Sequence, residues 1–137
     1  MAQRDDVKEI HFVPGKIYDR KEIHAKLGGQ RQGGISTPKD KPVILLFTGE
    51  QGRHYGYEDG WQGEMFFYTG EGRFGDMQFV RGNRAVRDHL KEGKTLLLFQ
   101  YISKGKVRFL GEMVCIGYDW IQAPDMAGRI RQAIRFK

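Results

Sequence analysis

The densest chemistry in this sequence lies between Tyr55 and Gly72. Tyr55-Gly-Tyr-Glu-Asp-Gly-Trp61 is followed, after four residues, by Phe66-Phe-Tyr-Thr-Gly-Glu-Gly72. Tyr57 and Tyr68 stand on segments able to face each other across a pocket, with Asp59 and Thr69 beside them and Gly56 and Trp61 at its margins. Two aromatic faces clamp a planar ring, and stacking of that kind contributes about 1–3 kcal/mol per base. A carboxylate accepts from the exocyclic amine of cytosine, while a hydroxyl and backbone amides serve the other edge of the base. That is the equipment for holding an extruded nucleotide. The same residues also read as an aromatic strand of a core, and residue types alone leave both readings open.

Other chemistries find less support. Gly70-Glu-Gly-Arg-Phe-Gly75 matches G-x-G-x-x-G, but that pattern needs a helix immediately after it to hold a pyrophosphate. Here Asp76-Met-Gln-Phe-Val-Arg-Gly follows, without helical period and with an acid where an anion would sit. His11, His24, His54 and His89 are far apart and lack metal-ligand spacing; each reads as a surface or capping residue. The single cysteine, Cys115, excludes an internal disulfide and a multi-thiolate zinc site. It lies in an apolar stretch and reads as a core residue. No G-x-S-x-G elbow is present. No metal, cofactor or catalytic set is expected, so the chain reads as a binding module and not an enzyme.

Charge points the same way. The 23 Lys and Arg exceed 17 Asp and Glu, giving +6 and a pI near 9.5. The whole excess sits between Arg81 and Arg108, where eight bases meet only Asp88 and Glu92; elsewhere the two signs balance. A basic half suits a phosphate backbone, and equally a solvated face. Tyr55 to Asp76 is the opposite, with five acids against Arg73 alone. A polyanion binder that keeps acids at its aromatic centre uses one of them to accept hydrogen bonds.

The elements that position these groups follow from pattern. The 137 residues suit one domain spanning 1–137. Asp19 and Glu22 make a capping-box pattern, and Ile23 and Leu27 at helical spacing before Gly28-Gly29 predict a helix over about 20–27. Residues 28–38 (GGQRQGGISTP) form a glycine-rich loop. Strands are expected over 41–48 and 64–69, and a helix over 83–91 with Ala85, Val86 and Leu90 facing inward. Residues 94–102 and 106–118 predict a hairpin around Ser103-Lys104-Gly105, and 129–137 a closing strand. Thirteen of the 19 glycines fall between Gly28 and Gly82. Glycine lets a ligand approach backbone closely, so the site is expected there. Several strands with two or three short helices give an α+β class, a small rolled β-barrel. Mean hydropathy is −0.58 and the longest apolar runs are strand-sized, so no membrane span is expected. The polar start Met1-Ala-Gln-Arg-Asp-Asp predicts no signal peptide.

The order GGI-S-TP, apolar strand, YGYEDGW, FFYTGEG, GNRA helix, GK-apolar strand and closing hairpin resembles the SET- and RING-associated (SRA) domain over roughly residues 12–137. It is most similar to the version in bacterial McrA-type modification-dependent HNH endonucleases. That resemblance implies an SRA/PUA-like barrel that flips modified cytosine, chiefly 5-methylcytosine with 5-hydroxymethylcytosine as a variant, out of duplex DNA. Tyr57 and Tyr68 would sandwich the base, Asp59 would take its amine, and Thr69 with nearby backbone would complete the edge. A loop matching Gly29 to Ser36 would enter the minor groove, pointing to Gln30, Arg31 and Gln32. Ser36, Arg73, Arg81, Arg84, Arg87, Lys104 and Lys106 are the expected backbone contacts. The segment matching the family's second loop, Arg73 to Gly82, is short and lacks a basic finger.

The resemblance implies the reader module of a modification-dependent restriction system, cytoplasmic and DNA-associated in a prokaryote. Its partner would be double-stranded DNA, with an HNH nuclease fused or associated; the chain's only asparagine is Asn83, and no His-Asn-His set is present. The competing readings are a PUA-like reader of modified RNA, a nuclease in its own right, and a structural barrel without base flipping.

Overall fold

The computed structural model describes residues 11–49 and 59–137. Two helices and nine strands occur among them: β1 (Ile17–Asp19), α1 (Arg20–Leu27), β2 (Ile35–Ser36), β3 (Val43–Thr48), β4 (Gly60–Gln62), β5 (Met65–Thr69), α2 (Arg81–Arg87), β6 (Thr95–Ser103), β7 (Lys106–Met113), β8 (Tyr118–Pro124) and β9 (Ile130–Phe136). One sheet runs β1-β7-β6-β3-β2 and the other β4-β5-β9-β8. The α+β, barrel-like class expected from the pattern is the one observed.

β3 explains how the barrel is filled. All six of its residues are buried. Successive side chains point to opposite faces of a strand. Ile44 and Leu46 join Leu96, Leu98, Tyr68, Val86, Ile134 and Phe136 between the sheets. Val43, Leu45 and Phe47 pack on the other face with Phe99, Val107, Phe109 and the Ile23 and Leu27 of α1. A strand covered on both sides has no polar face, hence its uninterrupted apolar run.

β3 and β6 run parallel, with Thr48 opposite Gln100. β6 therefore continues past the end of β3 by Tyr101, Ile102 and Ser103 before turning into β7. At about 3.3 Å per residue that is an overhang of about 10 Å.

Five local expectations are corrected. The capping box does not form: Asp19 makes no side-chain cap bond. As the last residue of β1 it stands opposite Lys106, and its carboxylate pairs with that ammonium. The second helix spans Arg81–Arg87 and ends in turns, which leaves Leu90 63% exposed. The later hairpin arm stops at Met113, and Tyr118 opens a separate strand, β8. His24 and His89 are core residues, 4% and 1% exposed; His89 is bonded through both ring nitrogens, to the Lys94 carbonyl and the Cys115 N–H. Cys115, expected in the core, is half-buried at its edge. His54 lies outside the described residues.

Candidate functional site

Three strand ends converge on one carboxylate. Asp59 Oδ2 accepts from the Thr48 hydroxyl, at the end of β3, at 2.7 Å. Its Oδ1 accepts from the Thr69 N–H, at the end of β5, also at 2.7 Å. Thr48 and Thr69 are each 8% exposed, and Asp59 is half-buried. Burial pushes the Asp59 carboxyl above its usual range, against the pull of the bonds from Thr48 and Thr69. The Thr69 hydroxyl bonds the same carboxylate, and an ionised carboxylate offers about four lone-pair sites, so about one remains for a further donor. Sequence reasoning missed Thr48. Its only local signal is a hydroxyl residue closing an apolar strand before Gly49.

Tyr68 precedes Thr69 on β5 and is 5% exposed. Its hydroxyl donates to the carbonyls of Gly34 at 2.8 Å and Phe47 at 3.1 Å. Burial and the neighbouring charges of Asp59 and Glu71 raise its phenol well above the ordinary value, so it stays neutral. The ring is thus pinned, and stacking on it requires one ring face to be uncovered. Approach at Gly34 is close enough that a Cβ there would stand 2.7 Å from the Tyr68 hydroxyl. An apolar cavity of about 440 Å³ also touches Tyr68, among Leu46, Phe66, Val86 and Cys115, but neither Asp59 nor Thr69 lines it. Its polar lining is Gln62, Glu64, Glu112 and Lys137, so it is separate from the Asp59 site.

The turn after Thr69 is locked from α2. Asn83, 1% exposed, accepts from the Glu71 N–H at 2.8 Å and donates to the Glu71 and Gln78 carbonyls at 2.7 and 3.0 Å. A Cβ on Gly70 would meet Asn83 Oδ1 at 2.7 Å, so glycine is needed for this contact. The GNRA helix therefore fixes the backbone beside Thr69.

The Gly28–Gly34 loop leads into β2 on the same side. Gln30 is spent on bracing: its Oε1 accepts from the Thr37 N–H at 2.8 Å and its Nε2 donates to the Thr37 hydroxyl at 3.3 Å. Arg31 and Gln32 are exposed at the tip. Ser36, expected at a phosphate, is fully buried on β2 opposite Leu45, under Gly29 and away from the surface. Trp61, expected at the base pocket, is 51% exposed and packs edge-on against Phe66 at 5.2 Å. Gly56 and Tyr57 lie outside the described residues.

The basic residues divide by their partners. Arg73, Arg81 and Lys104 are exposed, Lys104 at the tip of the β6–β7 overhang. Arg81 carries the only positive φ of a non-glycine residue among those described, +49°. Arg84 and Arg87 share Asp88, at 3.8 and 2.8 Å, and Lys106 pairs with Asp19. Arg73 to Gly82 is tied to β9: Asp76 accepts from the Gln132 N–H at 2.8 Å, and Met77, 3% exposed, accepts from the Ile134 N–H at 3.2 Å. No helix follows Gly70–Gly75 directly, as the nucleotide motif would require, since α2 begins only at Arg81. Among the described residues no three His, Cys, Asp or Glu gather as a metal site, and no helix is long and apolar enough to cross a membrane.

Two packed sheets with two short helices, among the described residues, make the architecture of an SRA-type domain. The family model of the ScoMcrA-like SRA domain matches residues 14–137, and the chain belongs to that family. The sulfur-binding and SRA domains of ScoMcrA, solved with phosphorothioated DNA, align with a TM-score of 0.73 at 22% identity over 94% of this chain. The SUVH5 SRA domain with hemimethylated CG DNA gives 0.65 at 21% over 92% of this chain and 86% of its own. The DNA recognition domain of LpnPI, a cytosine modification-dependent restriction endonuclease, gives 0.68 at 16% over 90% of this chain and 71% of its own. These likenesses establish the fold. This chain spans 40% of the ScoMcrA chain it matches. No curated protein sequence matches it.

Proposed function

We propose that this chain is a reader of modified cytosine in duplex DNA, which extrudes the base and holds its amine on Asp59. The observation that carries the reading is the Asp59 carboxylate itself, held at 2.7 Å by Thr48 and Thr69 with accepting capacity to spare. Membership of the SRA family supports it, as do neighbours described with modified DNA. Tyr57 and Tyr68 supply the stacking faces, the Tyr68 ring, 5% exposed here, being uncovered as the base enters, with Thr69 and the backbone near Gly56 at the remaining edge and Trp61 at the margin. Arg31 and Gln32 fill the vacated place in the stack, while Gln30 braces them. Arg73, Arg81 and Lys104 lead the phosphate contacts, with Arg84, Arg87 and Lys106 weakened by their own acids. The module serves a modification-dependent restriction system in which cleavage belongs to an associated or fused HNH nuclease.

A panel of otherwise identical duplexes tests this. Each carries one cytosine, 5-methylcytosine or 5-hydroxymethylcytosine; further arms are a phosphorothioate-linked duplex and single-stranded RNA with 5-methylcytosine. Tighter binding to a modified-cytosine duplex than to all other arms supports the reading. Preference for the phosphorothioate or the RNA arm, or no preference at all, refutes it.

A further inference from the structure

Arg20, the first residue of α1, reaches across to the glycine-rich loop. Its Nη2 donates to the Gly33 carbonyl at 3.0 Å and to the Gln30 carbonyl at 3.4 Å. Its guanidinium lies 3.7 Å from the centre of the Phe47 ring. Its Nε stands 3.0 Å from His24 Nε2, one helical turn on. An arginine Nε only donates, so His24 Nε2 must be the bare acceptor and the ring proton must sit on Nδ1. That nitrogen is 2.9 Å from the Gly28 carbonyl. Arg20 and His24 together therefore grip the loop at Gly28, Gln30 and Gly33, on either side of Arg31 and Gln32.

Phe47 joins this grip to the base site. Its ring carries the guanidinium, its N–H donates to the Gly34 carbonyl at 2.7 Å, and its carbonyl accepts from Tyr68. One residue of β3 thus touches the arginine, the end of the loop and the pinned tyrosine.

We propose that Arg20 is a positioning residue that holds the tip Arg31–Gln32 in register with the base site, using neutral His24 as its third acceptor. This rests on the reading that the loop enters the duplex. Lysine cannot substitute, because a single ammonium cannot span two carbonyls and an imidazole while lying flat on a ring. Arg20 itself contacts no base.

The test uses the full chain with Arg20→Met, Arg20→Lys and the loop variant Arg31→Ala with Gln32→Ala. Affinities are measured for duplexes with one 5-methylcytosine, one 5-hydroxymethylcytosine or none, and 2-aminopurine fluorescence beside the target base reports unstacking. With melting temperature unchanged, both Arg20 variants should lower the modified-to-unmodified affinity ratio by about 3- to 30-fold and diminish the 2-aminopurine signal. Binding to unmodified duplex should stay constant. Nitrogen NMR should find His24 protonated on Nδ1 alone in the wild type, with its titration moved to higher pH in Arg20→Met, where the adjacent cation is gone. Should Arg20→Met fail to fold, Arg20→Lys, which keeps the charge on Phe47, decides. If the Arg20 variants keep the wild-type ratio while the loop variant loses it, the positioning role is wrong and the loop reading stands. If the loop variant also keeps ratio and fluorescence, the loop reading fails and this proposal with it. A His24 proton on Nε2 overturns the proposal outright.

Discussion

Replacing Asp59 by Asn separates folding from recognition. In the wild type Oδ1 takes the Thr69 N–H and Oδ2 takes the Thr48 O–H. The amide keeps its oxygen on the Thr69 N–H, which can only donate. Its NH₂ then faces Thr48, whose hydroxyl rotates and accepts. Both bonds survive, and the cost of burying a charge, which raises the Asp59 carboxyl above its usual range, disappears. The variant should therefore be at least as stable as the wild type at neutral pH. The sign with pH follows. A carboxyl raised in the folded state binds its proton before the unfolded chain does, so the wild type gains stability as pH falls through that folded value. Asp59→Asn lacks this gain. Asp59→Ala leaves the Thr69 N–H buried and unpaired, which costs about 1–3 kcal/mol. Recognition should move the other way. The cytosine amine would meet the amide NH₂, a mispairing of about 1–3 kcal/mol, or roughly 5- to 150-fold in affinity. Only modified duplex should lose, since non-specific binding rests on phosphates. Chemical denaturation across pH, together with affinities for 5-methylcytosine and unmodified duplexes, measures both. A folded Asp59→Asn with the wild-type affinity ratio, or one destabilised as much as Asp59→Ala, would refute the reasoning.

Gly34→Ala should be destabilising because its Cβ meets the Tyr68 hydroxyl, yet nearly harmless in a Tyr68→Phe background; additive melting shifts in the double-mutant cycle would contradict that contact. Tyr68→Phe alone should cost about 1 kcal/mol, the worth of one buried hydrogen bond, and spare the affinity ratio, as binding titrations will show. Lys104→Ala should flatten the salt dependence of DNA binding by about 0.9 in slope, one phosphate contact. Arg87→Ala should flatten it less, because Asp88 already holds that guanidinium at 2.8 Å; equal slopes would place the backbone contacts elsewhere. Arg81→Gly relieves a left-handed backbone at φ +49° and should raise the unfolding free energy from chemical denaturation by up to about 1 kcal/mol, while weakening modified and unmodified duplexes equally.

Local pattern was sufficient wherever an element carries its own signal. Ile23 and Leu27 before Gly28 bound α1 over Arg20–Leu27, and the apolar run placed β3 within two residues of its observed start. The β6–β7 hairpin turns at Lys104-Gly105, where it was read. Residue types alone mark the aromatic and glycine-rich middle of the chain and offer Asp59 as its candidate acid. What depended on distant partners was not. β2 and β4 are two and three residues long and exist through pairing with β3 and β5, so no periodicity announces them. Asp19 looks like a cap until register sets it opposite Lys106. Ser36 looks like a polar loop residue until β2 buries it. Thr48 and Arg20 reach the site across 11 and 13 residues of chain, and neither has a local reason to be chosen. Periodicity reports which face of an element is apolar; which hydroxyl meets which carboxylate is decided only when separate elements pack, because a hydrogen bond forms over about 3 Å of space whatever the separation in sequence.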